Sequence, residues 1–252
     1  MRQYIFIYND RGVSAKSYQE TFNMCCRVNQ YFDNELIISP ISADTVNYEN
    51  WEEAARLLII PGGRETPYYE NLNPQGIAVG HKKIKAFVAD GGAYLGICAG
   101  AYYGASRIVF EKNHPKNEII TSRSLGLYSG WAEGPAYGLG LFQYQSEKGA
   151  RQAEISLTNE ASKLLPSFHS ESAMVFPAYF NGGCWFHSEE GSLDSTVLAY
   201  YADIEGQPPA IITCSYGKGR VCLSGVHFEY EFEDQQARRD AFIQALFGYL
   251  CG

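Results

Sequence analysis

Three short apolar runs constrain the fold of this chain more than any other feature. Tyr4–Tyr8 (YIFIY), Arg56–Gly63 (RLLIIPGG) and the segment leading into Cys98 (AYLGI) are continuous rather than alternating, and each stops at turn-forming residues. A run that is apolar at every position suits a strand covered on both faces, the condition of a parallel sheet between two layers. The segments between them supply the helices. Ser14 reads as the N-cap of a helix reaching about Tyr31, with Tyr18, Phe22, Cys25 or Cys26 and Asn29 at helical spacing. Gly76–Asp90 puts Ile77, Ile84, Phe87 and Val88 on one face and leaves His81, Lys82, Lys83 and Lys85 to solvent. With Glu35–Ser39 (ELIIS) as a further strand, the order predicts a doubly wound, mostly parallel α/β sheet, in which function sits at the carboxyl ends of the strands.

The second half is less regular. Residues 112–150 are rich in glycine, serine and aromatics without a helical period, and read as long loops over a site or as an insertion. Arg151–Thr158, Val197–Tyr201, Ala210–Tyr216 and Arg220–Ser224 read as strands spaced for hairpins, and Glu233–Leu250 as a closing helix. The glycines of GKGR lie between two strands and therefore mark a hairpin turn rather than a phosphate loop. No linker or composition shift divides the chain, so one domain over residues 1–252 is expected, with a β-rich second half.

Composition removes several function classes. The net charge of −8 comes without a basic run, which argues against nucleic acid or an anionic membrane surface as partner. The seven cysteines contain no CxxC pair, so neither a disulfide framework nor a zinc site is expected, and no cofactor or metal signature is read. No segment approaches the roughly 18 consecutive apolar residues of a membrane span. The N-terminus reads as a strand rather than a signal segment, so a cytoplasmic setting is expected.

The chemistry centres on Cys98. It follows a buried strand within Gly96-Ile97-Cys98-Ala99-Gly100 and precedes small residues that can start a helix. This is the pattern of a nucleophile elbow, where flanking glycines permit a strained backbone and the next N–H, that of Ala99, points toward a developing oxyanion. Free cysteine is also a common core filler, so the motif needs a partner base. Five histidines are present, and three lie in H-x-E: His169 with Glu171, His187 with Glu189, and His227 with Glu229. The first two sit in polar stretches that read as exposed loops, and His114 precedes a proline in a loop. His227 and Glu229 follow the strand RVCLS and so leave the sheet at the same edge as Cys98. Pro61-Gly62-Gly63 ends another strand at that edge and offers a further glycine N–H.

These three motifs, in this order, resemble the class I glutamine amidotransferase superfamily. The stretches IYNDRGVS, LLIIPGGRETPYY, YLGICAGAYYGASRIVFE, GPAYGLGLFQYQSEKGAR, FPAYFNGGCWF and GKGRVCLSGVHFEY are more closely similar to the N-terminal domain of eukaryotic-type biotin protein ligases. The resemblance implies a flavodoxin-like fold, a Cys98–His227–Glu229 triad, and an oxyanion hole from the Gly63 and Ala99 amides. Tyr102 stands where glutamine-using members carry glutamine, and Phe228 replaces the usual proline between histidine and glutamate. Glutamine is therefore not the expected substrate. No G-R-G-R biotin-binding signature is read within these 252 residues, so biotin ligation by this chain alone is not expected.

Two readings follow. In the first, Cys98 attacks a small-molecule amide or acyl substrate in a pocket shaped by Arg64, Tyr68, Tyr102, the Tyr128–Tyr144 loops and Asn181-Gly182-Gly183. In the second, the scaffold is a non-catalytic binding or regulatory module that recognises a protein, biotin protein ligase or another partner, or a metabolite, and its triad is residual. A redox-sensing cysteine on the same elbow is a third option.

Overall fold

The computed structural model describes residues 2–32, 35–144, 146–165, 175–188, 195–232 and 236–252. Along the chain, the first half contains β1 (Tyr4–Tyr8), α1 (Ala15–Asn29), β2 (Ile37–Ile41), α2 (Ala43–Tyr48), β3 (Ala55–Ile60), α3 (Glu65–Asn71), α4 (Val79–Ala89), β4 (Ala93–Ile97) and α5 (Ala99–Gly104). The second half adds β5 (Ala105–Phe110), β6 (Ile119–Ser122), β7 (Tyr128–Gly134), β8 (Arg151–Leu157), α6 (Asn159–Leu164), β9 (Val175–Phe180), β10 (Trp185–His187), β11 (Ser195–Tyr201), β12 (Pro209–Tyr216), β13 (Gly219–Ser224) and α7 (Gln236–Cys251).

The main sheet has nine strands in the order β2-β1-β3-β4-β13-β12-β11-β8-β9. Its site-bearing half, β2-β1-β3-β4-β13, is parallel throughout, and β12, β11, β8 and β9 extend it antiparallel. The continuous apolar strands behave as their composition predicts. Leu57, Ile59, Leu95 and Ile97 enter the core shared with α1 and α7, whereas Leu58, Ile60 and Tyr94 enter the core shared with α4 and the second sheet. Ser14 caps α1, its side chain accepting from Ser17 N, and the β12–β13 turn carries Gly217 at φ +61°. The doubly wound α/β expectation therefore holds.

Four expectations change. Residues 112–150 are not only loops: β6 and β7 join β5 and β10 in a second sheet of order β10-β7-β5-β6, against which α5 packs. His81 is not solvated but 1% exposed, with its Nδ1 2.6 Å from Ser124 Oγ and its ring against Tyr69 and Tyr103. Burial pushes its pKa down to about 4, so it is a neutral core residue. Ile77 precedes α4 and is exposed. On α1, Cys25 and Asn29 are buried as expected, together with Ser17, Thr21, Met24 and Val28, whereas Tyr18 and Phe22 are only partly buried. His169, Glu171 and Glu189 lie outside the described residues.

Among the described residues, no helix is long and apolar enough to cross a membrane.

Candidate active site

The parallel strands β3, β4 and β13 end side by side, and their carboxyl ends carry Gly62-Gly63, Cys98 and His227-Phe228-Glu229 in turn. Cys98 joins β4 to α5 at φ +51°, ψ −104°, a region that side-chain-bearing residues rarely enter. The flanking glycines make this passage sterically possible. A Cβ on Gly96 would meet the Gly100 carbonyl, and a Cβ on Gly100 would run into the Ile60 carbonyl of β3. The Cys98 amide donates to Ser224 O at the end of β13 (2.8 Å), tying the elbow to the strand that leads to His227. Because only the backbone angle of residue 98 is unusual, Cys98→Gly should be more stable than Cys98→Ala by about 1 kcal/mol. Equal stability in urea titrations would contradict this account of the elbow.

His227 is clamped from behind by Tyr179 at the end of β9: the two residues exchange backbone hydrogen bonds of 2.8 and 3.3 Å. Its Nδ1 lies 2.7 Å from Glu229 Oε1, and Cys98 is near enough to act on the charge of the ring. Burial opposes a charge on the imidazole, but the Glu229 carboxylate and the Cys98 sulfur outweigh it and raise the His227 pKa to about 10. A histidine between a buried carboxylate and a cysteine is an arrangement that can take up a thiol proton.

Behind the pair stands Ser17, which sequence reasoning missed. Its hydroxyl donates to Glu229 Oε1 (3.1 Å) and accepts from the Gly62 amide (2.9 Å). The only trace in the sequence is a polar residue on the buried face of α1, and nothing marks it off from an ordinary helical serine.

The Pro61-Gly62-Gly63 turn is pinned by Ser14 N to Gly62 O (3.0 Å) and Arg64 N to Gly12 O (2.8 Å). Among the described residues no hydrogen bond uses the Gly63 N–H, and the Ala99 N–H, first in its helix, has no intrahelical acceptor. Both residues face a cavity beside Cys98.

The other expected pocket residues divide. Tyr102 is buried in the cavity wall, where its hydroxyl donates to Gly182 O (3.1 Å) and its ring meets Phe110 edge-on. Arg64 lies at the mouth with its guanidinium 5.1 Å above the Tyr144 ring. Asn181 reaches the sulfur through its carbonyl, 3.7 Å from Cys98 Sγ, and donates its amide to Ser146 O (3.0 Å). Tyr68 does not line the cavity. It is wholly buried behind the turn, packed edge-on against Tyr8 and Tyr103, and its hydroxyl donates to Pro61 O (3.3 Å). The correction has a simple cause: α3 turns Tyr68 inward beneath Gly63, so it supports the turn instead of meeting a ligand. His187 pairs with Glu133 in the second sheet, and His114 accepts from the Lys116 and Asn117 amides in its own loop.

Comparison with known proteins bears on the family and the fold. The family model described as biotin-protein ligase, N terminal, matches residues 3–247. An uncharacterized protein of Chlamydia muridarum is 38% identical over 239 residues, covering 90% of this chain and 81% of that protein. The biotin–protein ligase of Schizosaccharomyces pombe is 32% identical over 230 residues, which are 91% of this chain but only 34% of the ligase. Among solved structures, PurLQS from Thermotoga maritima superposes with a TM-score of 0.62 at 16% identity, covering 99% of this chain and 100% of the matched one. A glutamine amidotransferase gives 0.56 at 20% identity, covering 95% and 98% of the two chains. The likeness to these structures is one of fold, flavodoxin-like and glutamine amidotransferase-like, whereas the sequence match defines kinship: the chain belongs to the biotin-protein ligase N-terminal family.

Proposed function

We propose that this protein is a cysteine-dependent amide or acyl hydrolase, or an acyltransferase of the same chemistry, that does not use glutamine. One observation carries the reading: a cysteine in a strained turn flanked by glycines borders one cavity with a histidine that is itself held by a buried glutamate. In the proposed reaction Cys98 Sγ attacks the carbonyl carbon, forming a C–S bond while the oxygen takes the electron pair toward the Gly63 and Ala99 amides. Collapse of that intermediate breaks the C–N bond, and the amine leaves with the proton carried by His227. Water then attacks the thioester, its proton passing to His227, and expulsion of the sulfur releases the acid. Glu229 fixes the ring and balances its charge, and Ser17 fixes Glu229. Tyr102, sealed against Gly182 in the cavity wall, is the group that departs from the glutamine-using pattern.

Iodoacetamide labelling tests the nucleophile directly. Cys98 is expected to alkylate faster than the exposed Cys26 near neutral pH despite being only 6% exposed itself, and His227→Ala should remove that advantage. If Cys98 labels more slowly than Cys26 in the wild type, catalysis is abandoned for a binding module built on an amidotransferase scaffold.

A further inference from the structure

Cys98 stands between two unequal cavities. The inner one, about 50 Å³, is walled by Ala99, Tyr102, Ile108, Phe110 and Ile119. The outer one, about 740 Å³, is lined by His227 and by polar and charged groups such as Ser14, Lys16, Ser146 and Glu147. Gly63, Arg64, Thr66, Cys98, Phe142, Tyr144 and Asn181 border both. Their placement gives the site a direction. A leaving amine must lie beside the histidine that protonates it, and His227 borders only the outer cavity. The Gly63 and Ala99 amides border the inner cavity, so the carbonyl oxygen and the acyl substituent enter it together.

That cavity is small and stiff. A pocket of about 150 Å³ holds the six carbons of benzene, so this one has room for about two or three heavy atoms, the carbonyl oxygen and a chain of one or two carbons. Its aromatic walls interlock: Phe110 meets Tyr102 at 5.6 Å and Phe142 at 5.5 Å, both edge-on, and Phe142 meets Tyr144 at 4.8 Å. Glu65, the carboxylate on its border, is turned away into a two-pronged pair with Arg123 (2.6 and 2.7 Å) and so offers no counter-ion to an ammonium.

We propose that the inner cavity is an acyl pocket and that the substrates are amides of short apolar acids, of acetyl or propionyl size, on a large polar amine held in the outer cavity. This rests on Cys98 acting as the nucleophile and adds the class of acyl group it accepts.

Acylation of Cys98 by the 4-nitrophenyl esters of acetate, propionate, butyrate and hexanoate tests it, since the ester supplies the acyl group with one common leaving group. Intact mass and peptide mapping follow the product, each rate being divided by that of free cysteine with the same ester. Acetate and propionate are expected to exceed hexanoate by on the order of 100-fold. Phe142→Ala, and independently Ile119→Ala, should narrow that ratio to about tenfold or less. A flat or rising dependence on chain length, or a ratio unmoved in both variants when they remain folded by circular dichroism, overturns the acyl pocket. No acylation by any ester, in protein whose Cys98 alkylates in a His227-dependent way, also overturns the pocket but leaves the nucleophile standing. Loss of both signals overturns the nucleophile and the pocket together.

Discussion

A Gly100→Ala variant is expected to lose about 3 kcal/mol or more of unfolding free energy, with a correspondingly lower urea midpoint. The reason is a collision between backbones, which cannot be relieved by turning a side chain. The new methyl group would run into the Ile60 carbonyl oxygen, so α5 would have to lift off β3 and carry Cys98 with it. Against a typical total of 5–15 kcal/mol, such a loss removes much of the stability of the domain. Gly248→Ala in α7 is the control: a Cβ there meets nothing within 4 Å, and helix propensity favours alanine by roughly 0.5–1 kcal/mol. If Gly100→Ala melts like the wild type, the close passage of α5 over β3 is wrong, and the elbow built on it falls too.

The second large effect is on proton handling. Glu229→Gln removes the charge that holds His227 up at a pKa of about 10, while the burial that opposes ionisation remains. The ring then stays neutral near pH 7, and both alkylation and acylation of Cys98 should fall by a factor on the order of 10² to 10⁴. A stability measurement separates this electrostatic role from a packing role. The folded pKa of His227 lies above its unfolded value of about 6.5, so its contribution is fully present below pH 6.5 and is lost as pH rises toward 10. Wild type should therefore lose stability across that window, and the Gln variant should lose less. Parallel pH profiles for the two proteins would show that Glu229 is only a spacer.

Much of the site was legible in the sequence because chain order places it. Cys98 and Gly62-Gly63 each end a continuous apolar strand, and His227-Phe228-Glu229 follows one two residues on. Parallel pairing of β3, β4 and β13 then brings all three to one edge without any other information. What the sequence hid depends on partners far along the chain. The second sheet was missed because β6 has no buried position and β7, though alternately buried, contains Ser129, Gly130 and Trp131, a pattern shared with aromatic loops. His81 sits among lysines on a helix, and only Ser124, Tyr69 and Tyr103 account for its burial. Tyr68 shares its segment with Arg64, which does face the cavity, and the turn of α3 alone separates their directions.

One consequence of the Ser17 hydroxyl concerns observation rather than catalysis. It takes the Gly62 amide proton and gives its own to Glu229, so a main-chain N–H in the glycine turn is wired to the charge of the imidazole–carboxylate pair through a single oxygen. An amide resonance shifts with the strength of its acceptor. Gly62 is thus a native gauge of the relay, whose signal in a nitrogen–proton spectrum would follow the ionisation of His227 without label, substrate or mutation.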